Sequence, residues 1–304
     1  MDPALALAMF ALGLAFGSFL NVCIYRLPRG IGVTLPRSAC PACQHKIAAY
    51  DNIPVLSWLI LRGRCRHCKA HISPRYLFVE LLTGLMFFAC YAQFGYTLAM
   101  VKYCALGFLL LGLIFTDAET QLLPDELTIP GIVLGLGLSG FVPVNDLISQ
   151  LFPMFFSVPH EASRWLSVAD SFAGAIVGAS FIYGAGAIYL RARGVHGMGF
   201  GDVKLMAMVG AFLGTKPTIF TIFSGSIVGS LVGLATMLAV WWKRTRRRMK
   251  RNHESAAVAR QHAWNSASIM LRRFPMPFGV FLGSMAIVAF LFGNQFFRWY
   301  WRLP

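Results

Sequence analysis

Acidic residues are scarce in this 304-residue chain, 12 Asp and Glu against 27 Lys and Arg, and charge of either sign makes up only 13% of it. Soluble domains carry about 25% charged residues, so the shortage excludes an ordinary globular surface. Internal repeats and low-complexity tracts are missing. So is the complete glycine fingerprint of a nucleotide-binding loop, since Gly199-Phe200-Gly201 has no strand before it. The first apolar run, 4–22, also lacks the marks of a secretory signal. Asp2 stands where a basic region belongs, and no small-x-small cleavage site follows. What the chain has instead is hydrophobicity: 57% of its residues, gathered in runs that reach the roughly 17–25 residues needed to cross about 30 Å of hydrocarbon. The composition predicts an all-α polytopic membrane protein.

About eight spans are expected: 4–22, 77–93, 98–116, 127–142, 169–190, a short one ending near 215, 218–242 and 277–297. Loop charge orients them. With both termini outside, segments on the cytoplasmic side carry 22 Lys and Arg and those on the outer side five, the bias that basic loops show toward the cytoplasm. The formal charge of +15 could suggest nucleic acid. Its densest cluster, Lys243 to Arg251, directly follows an apolar run ending at Trp241-Trp242. That is the pattern of a segment flanking a membrane and meeting anionic lipid headgroups, so lipid and not nucleic acid is the expected partner. Outer loop 143–168, with Pro143, Pro153 and Pro159, reads as a segment lying on the membrane surface. Lys216-Pro217 reads as an outer turn, 243–273 as a basic cytoplasmic insert, and Trp299, Tyr300 and Trp301 as interfacial anchors. The resulting division is 1–25 as first helix, 26–76 as a small cytoplasmic domain, and 77–304 as membrane core.

Four of the seven cysteines lie in the polar segment, as Cys40-Pro-Ala-Cys43 and Cys65-Arg-His-Cys68. Two such knuckles can close a tetrahedron of thiolates around a zinc ion. A segment of this size buries little core, so a metal staple would supply folding free energy that packing cannot. A closed four-thiolate shell makes the zinc structural. Redox dithiols or disulfides are the other reading, which cytoplasmic placement and the doubled knuckle disfavour. His45, His67 and His71 are spare in that scheme, and Cys23, Cys90 and Cys104 are packing residues of apolar segments.

Carboxylates at the lip of a bilayer are costly to place and mark functional sites. Asp202 sits in Gly199-Phe-Gly-Asp-Val-Lys204, and its candidate partners are Asp117, Glu119 and Asp125. Two spans separate Asp117 from Asp202, which puts both on the cytoplasmic side. A carboxylate pair there could activate a water and protonate a scissile amide. Glycines 197, 199 and 201 would let backbone approach a partner helix or peptide. Two bland readings stand beside this. The acids could be solvated or bridged to Lys204, and Asp125, after Pro124, could cap a helix. Glu80, one turn inside the second span, is expected to snorkel or to pair with an arginine. A proton-coupled transporter using the same acids is the rival from another class.

The chain resembles the bacterial type IV prepilin peptidases. The likeness runs through Gly17-Ser-Phe-Leu-Asn21, Arg26-Leu-Pro28, the four cysteines, Asp51-Asn-Ile-Pro54 and Arg62-Gly-Arg-Cys65. It continues through Arg75-Tyr76 with Glu80, Asp117 with Leu123-Pro-Asp125, Gly199 to Leu205, and Pro277-Phe-Gly279. The resemblance implies that Asp117 and Asp202 are the catalytic pair of an aspartic endopeptidase, with Gly199, Gly201 and Lys204 in support. It also implies cleavage of prepilin or pseudopilin leaders at the cytoplasmic face of the inner membrane, followed by N-methylation of the new terminus with S-adenosylmethionine. The zinc-bound domain at Cys40, Cys43, Cys65 and Cys68 is associated with that second activity, and no residue is assigned to the methyl donor.

Overall fold

In a computed structural model the chain is mostly helical, and the described residues contain no named strand. The described residues are 2–35, 38–144, 146–150, 162–194, 197, 199–252, 255–273 and 276–300. Ten α-helices are named here: α1 Pro3–Arg26, α2 Leu56–Ile60, α3 Arg75–Phe94, α4 Leu98–Thr120, α5 Asp125–Ser139, α6 Ala162–Arg193, α7 Phe200–Leu213, α8 Thr215–Asn252, α9 Ala256–Arg273 and α10 Phe278–Tyr300. Among the described residues, five helices (α1, α3, α4, α6, α8) are long and apolar enough to cross a membrane, and α10 supplies a shorter apolar stretch, Phe278–Gly293. The expected spans at 127–142 and ending near 215 correspond to α5 and α7, which have 15 and 14 residues. Both fall short of the roughly 17–25 residues of a full span.

Helix α4 is central, packing against α1, α3, α5 and α10. Its buried side includes Leu106, Leu110 and Leu113. Two close crossings set the rest of the frame. On α1, a Cβ at Gly13 would lie 2.7 Å from the Thr83 carbonyl, and one at Gly17 would lie 2.7 Å from the Glu80 Cα. On α6 and α7, a Cβ at Gly210 would lie 2.1 Å from the Gly174 carbonyl oxygen. Small residues let helix backbones approach where lipid supplies no hydrophobic drive to bring them together.

Alternation of helix direction gathers the polypeptide's chemistry at one end of the bundle. The carboxyl ends of α1 and α4 meet the amino ends of α3, α5, α7 and α10 there, and the Cys-rich segment 38–73 hangs between α1 and α3. The opposite end is closed by carboxylates and hydroxyls. Asp170 accepts backbone N–H bonds from Asp146, Ile148 and Ser149, Asp146 accepts from the Lys216 N–H, and Ser167 donates to the Ser139 carbonyl. The buried Lys102 ammonium donates to the Val142 carbonyl at 3.3 Å.

Two expectations need correction, and a third segment gains a structure. The turn before α8 is at Gly214 (φ 85°), while Pro217 lies inside the first turn of the helix, where a missing N–H costs nothing. The last seven residues of the expected surface loop 143–168 are already helical in α6; residue 145 and residues 151–161, with Pro153 and Pro159, lie outside the described residues. The insert 243–273 is a helical hairpin. Helix α8 has 38 residues, about 57 Å at about 1.5 Å per residue, so its basic end projects well past a hydrocarbon layer. There α9 folds back on it, burying Ala259, Ala263 and Ala267, with the Trp241 indole N–H donating to the Arg260 carbonyl at 3.1 Å. The expected anchor Trp301, and the side chains of Trp299 and Tyr300, lie outside the described residues.

Candidate active site

Asp117 occupies the last turn of α4, and Asp202 the first turn of α7, three residues after the Gly199 N-cap. Both are buried, at 5% and 8% exposure, and lie close enough for their charges to interact. Asp117 is held from a third element: its Oδ2 accepts the Val280 N–H at 3.0 Å. Val280 is the third residue of α10, and the first four N–H groups of a helix have no partner within it, so α10 presents its amino end to the carboxylate. Gly279 must lack a side chain for that approach, because a Cβ there would stand 2.9 Å from the same oxygen. Gly201 is pressed in the same way, its Cβ position lying 2.8 Å from the Leu123 Cβ. Gly199 is less crowded, with its Cβ position 3.8 Å from the Asp202 Oδ2.

The remaining acids are engaged elsewhere. Lys204 forms an ion pair with Asp125 at 2.6 Å and lies over the Phe200 ring, so it joins α7 to α5 beside the carboxylate pair. Asp125 is the first residue of α5 after an N-cap at Pro124, and it makes no capping bond. Glu119 pairs with Arg75 at the start of α3. Glu80 departs from its expected surface role: it is buried, makes no arginine pair, and accepts the Val55 N–H at 2.7 Å.

The four cysteines converge. Their sulfurs all lie within 4.8 Å of one another, with Cys40 Sγ and Cys68 Sγ 3.8 Å apart, and none is in a disulfide. A tetrahedral zinc with bonds of about 2.3 Å sets its sulfurs about 3.8 Å apart. The two knuckles are built alike. In the first, the Cys40 N–H donates to the His45 carbonyl and the Gln44 N–H to the Cys40 carbonyl; in the second, Cys65 donates to Ala70 and Lys69 to Cys65. Gln44 and Lys69, each four residues after its cysteine, share a left-handed backbone at φ 58° and 57°. The backbone N–H of Cys43 is the main cause that pulls the Cys40 thiol down to about 7, toward the thiolate that a metal requires. The His45 and His67 rings meet at a 37° tilt with centroids 3.6 Å apart. Arg66 forks onto Asp51 and holds that carboxyl below the usual carboxylate range, joining the second knuckle to the turn before α2.

Residues 11–94 match the family model described as the bacterial peptidase A24 N-terminal domain, and residues 104–234 match that of the type IV leader peptidase family. Over 96% of its length the chain is 32% identical to the prepilin leader peptidase/N-methyltransferase of Aeromonas hydrophila, covering 92% of that protein. The chain belongs to the type IV prepilin leader peptidase family. Within this family it is 40% identical to the Myxococcus xanthus prepilin leader peptidase/N-methyltransferase over 78% of the chain, spanning 64% of that relative's length. It is 34% identical to the Neisseria gonorrhoeae protein of the same name over 75% of the chain and 81% of that protein. No solved structure matches the chain. Val280 lies beyond both matched regions of this family member, yet it is the residue whose backbone holds Asp117.

Proposed function

We propose that this chain cleaves the leaders of prepilins or pseudopilins with Asp117 and Asp202 and then methylates the new amino terminus. The observation that carries the first half is the meeting of two buried carboxylates from different helices at one end of the bundle, with one of them held by a helix amino end. A catalytic carboxylate pair works with one member ionised and one protonated. The ionised member takes a proton from a water as that water attacks the scissile carbonyl, and the protonated member supplies one to the departing nitrogen. Lys204–Asp125 and the pressed Gly201 hold α7 in place against α5 and the 121–124 turn. The end of the bundle that holds the dyad and the cysteine cluster is the cytoplasmic one, as loop charge directs, and the termini face outward.

The cysteine cluster is a structural zinc site: four thiolates close the shell and leave no position for substrate. Methylation draws on S-adenosylmethionine, which supplies an electrophilic methyl group. A buried acceptor such as the Asn21 Oδ1 suits its cationic groups. A transporter reading finds no support, because the dyad's acids sit at one end of the bundle and the chain's relatives are peptidases. The test is to incubate the purified protein with a prepilin and the methyl donor, then weigh the product. Loss of the leader and gain of one methyl group are expected, and an intact leader would refute the peptidase assignment.

A further inference from the structure

A cavity of about 660 Å³ lies between the cysteine-rich segment and the dyad-end halves of α1 and α3, lined in part by Ser18, Asn21, Tyr25, Trp58 and Glu80. Neither aspartate of the dyad lines it. Pockets for drug-sized ligands run from about 300 to 1,000 Å³. Three features of its wall have no structural explanation on their own. Glu80 is a buried carboxylate with no ion pair among the described residues, although Arg26, Lys46 and Arg66 also line the cavity; it is hydrogen-bonded by the Val55 N–H at 2.7 Å and by the Ser18 side chain. Asn21 donates through Nδ2 to the Tyr76 carbonyl at 3.0 Å, while its Oδ1 is buried and accepts no hydrogen bond. Val55 itself, a β-branched residue, is held at φ 64° and ψ −53°. Backbone strain of this kind costs about 1–3 kcal/mol and gathers at ligand sites.

A buried carboxylate with no cationic partner and an amide oxygen with no donor ask for a ligand that brings positive charge and N–H groups. The close α1–α3 crossing at Gly17 fixes the Glu80 backbone, so the carboxylate is pre-positioned and not a wandering surface acid. The cavity is also joined to the dyad. Tyr76 and Glu80 follow Arg75, whose ion pair reaches Glu119, two residues past Asp117.

We propose that this cavity is the methylation site, in which Glu80 and Asn21 receive the new α-ammonium of the cleaved chain while the remaining volume admits S-adenosylmethionine. The proposal rests on the methyltransferase half of the function given above. Glu80 takes a proton from the ammonium and frees the nitrogen lone pair. That pair forms the N–CH3 bond as the donor's S–CH3 bond breaks, and the bonding electrons stay on sulfur. Two protons remain on the methylated nitrogen, which takes over the positive charge the sulfonium loses, so charge and atoms balance. Tyr25 and Trp58 give the cavity aromatic surface for an adenine.

Two variants of the full chain, in lipid nanodiscs, test this. Glu80→Gln keeps an oxygen for the Val55 N–H and removes the charge. It should retain metal content and leader cleavage, which uses neither Glu80 nor Val22, while methyl addition falls about 100-fold, the scale of a lost general base. Val22→Trp, from the α1 wall, should fill the donor space and weaken S-adenosylhomocysteine binding by calorimetry at least about 10-fold, the scale of one lost packing contact. Wild-type methylation in Glu80→Gln, or wild-type binding in Val22→Trp, overturns the location. A wild-type protein that cleaves yet neither binds S-adenosylhomocysteine nor adds methyl refutes the methyltransferase reading itself. Should a variant fail to fold, hydrogen exchange of the wild type decides: S-adenosylhomocysteine should slow exchange at residues 53–58, and protection confined elsewhere overturns the site.

Discussion

Gly279→Ala is the sharpest perturbation of the proposed dyad, because it touches neither aspartate chemically. The added methyl would stand 2.9 Å from the Asp117 Oδ2, 3.1 Å from its Cγ and 3.3 Å from the Leu123 Cδ1. Leu123 blocks retreat on one side, so the carboxylate must swing, and the 3.0 Å bond from the Val280 N–H is the contact it gives up. A hydrogen bond to a charged group contributes about 1.5–3 kcal/mol. At about 1.36 kcal/mol per factor of ten in rate, kcat for leader cleavage should fall about 10- to 150-fold. The assay is cleavage of a purified prepilin in nanodiscs, followed by the mobility shift of the mature product. Gly137→Ala is the control, since a Cβ there meets nothing within 4 Å and alanine favours the helix. A Gly279→Ala enzyme within twofold of wild type would refute the claim that α10 positions Asp117.

Other outcomes follow from the same geometry. Asp117→Asn and Asp202→Asn should each abolish detectable cleavage, while Asp125→Asn, which breaks only the Lys204 pair, should keep most of it; equal losses in all three would point away from a two-aspartate site. Cys40→Ser should take bound zinc, measured by elemental analysis of freshly reduced protein, from about one per chain to well below it, and chelation of the wild type should expose residues 38–73 to protease. Gly210→Val would force a side chain into the Gly174 carbonyl, destabilising the α6–α7 crossing by at least about 1–3 kcal/mol; a thermal midpoint in detergent equal to wild type would contradict that packing.

The hydrophobic runs were enough to locate eight of the helices, because a membrane span is announced by length and composition alone. Cys40, Cys43, Cys65 and Cys68 were legible as a metal cluster because two knuckles at that spacing have few other uses. Parity of spans put Asp117 and Asp202 on one side, as alternation of helix ends now does. The partners of these acids were not legible. Asp117 and Val280 are 163 positions apart, and the donor is a backbone N–H that nearly every residue carries. The one trace was a glycine in Pro277-Phe-Gly279 just before an apolar run. Glu80 was read as a surface acid for the same reason, since its partner is the backbone of Val55. Lys216-Pro217 suggested a turn because proline usually breaks helices, and the local rule that proline fits the first turn won instead. The 243–273 hairpin escaped because its basic composition hides the alanine spacing at 259, 263 and 267 that packs α9 onto α8.

The seat of Asp117 on α10 also has a bearing on biogenesis. Ribosomes deliver helices in order, so both aspartates enter the bilayer well before Phe278 and Val280 leave the exit tunnel. Until the last helix inserts, α4 ends in a carboxylate with no N–H to hold it. On the proposed dyad, leader cleavage should therefore appear only once α10 has inserted, and a chain ended before Phe278 should not cleave.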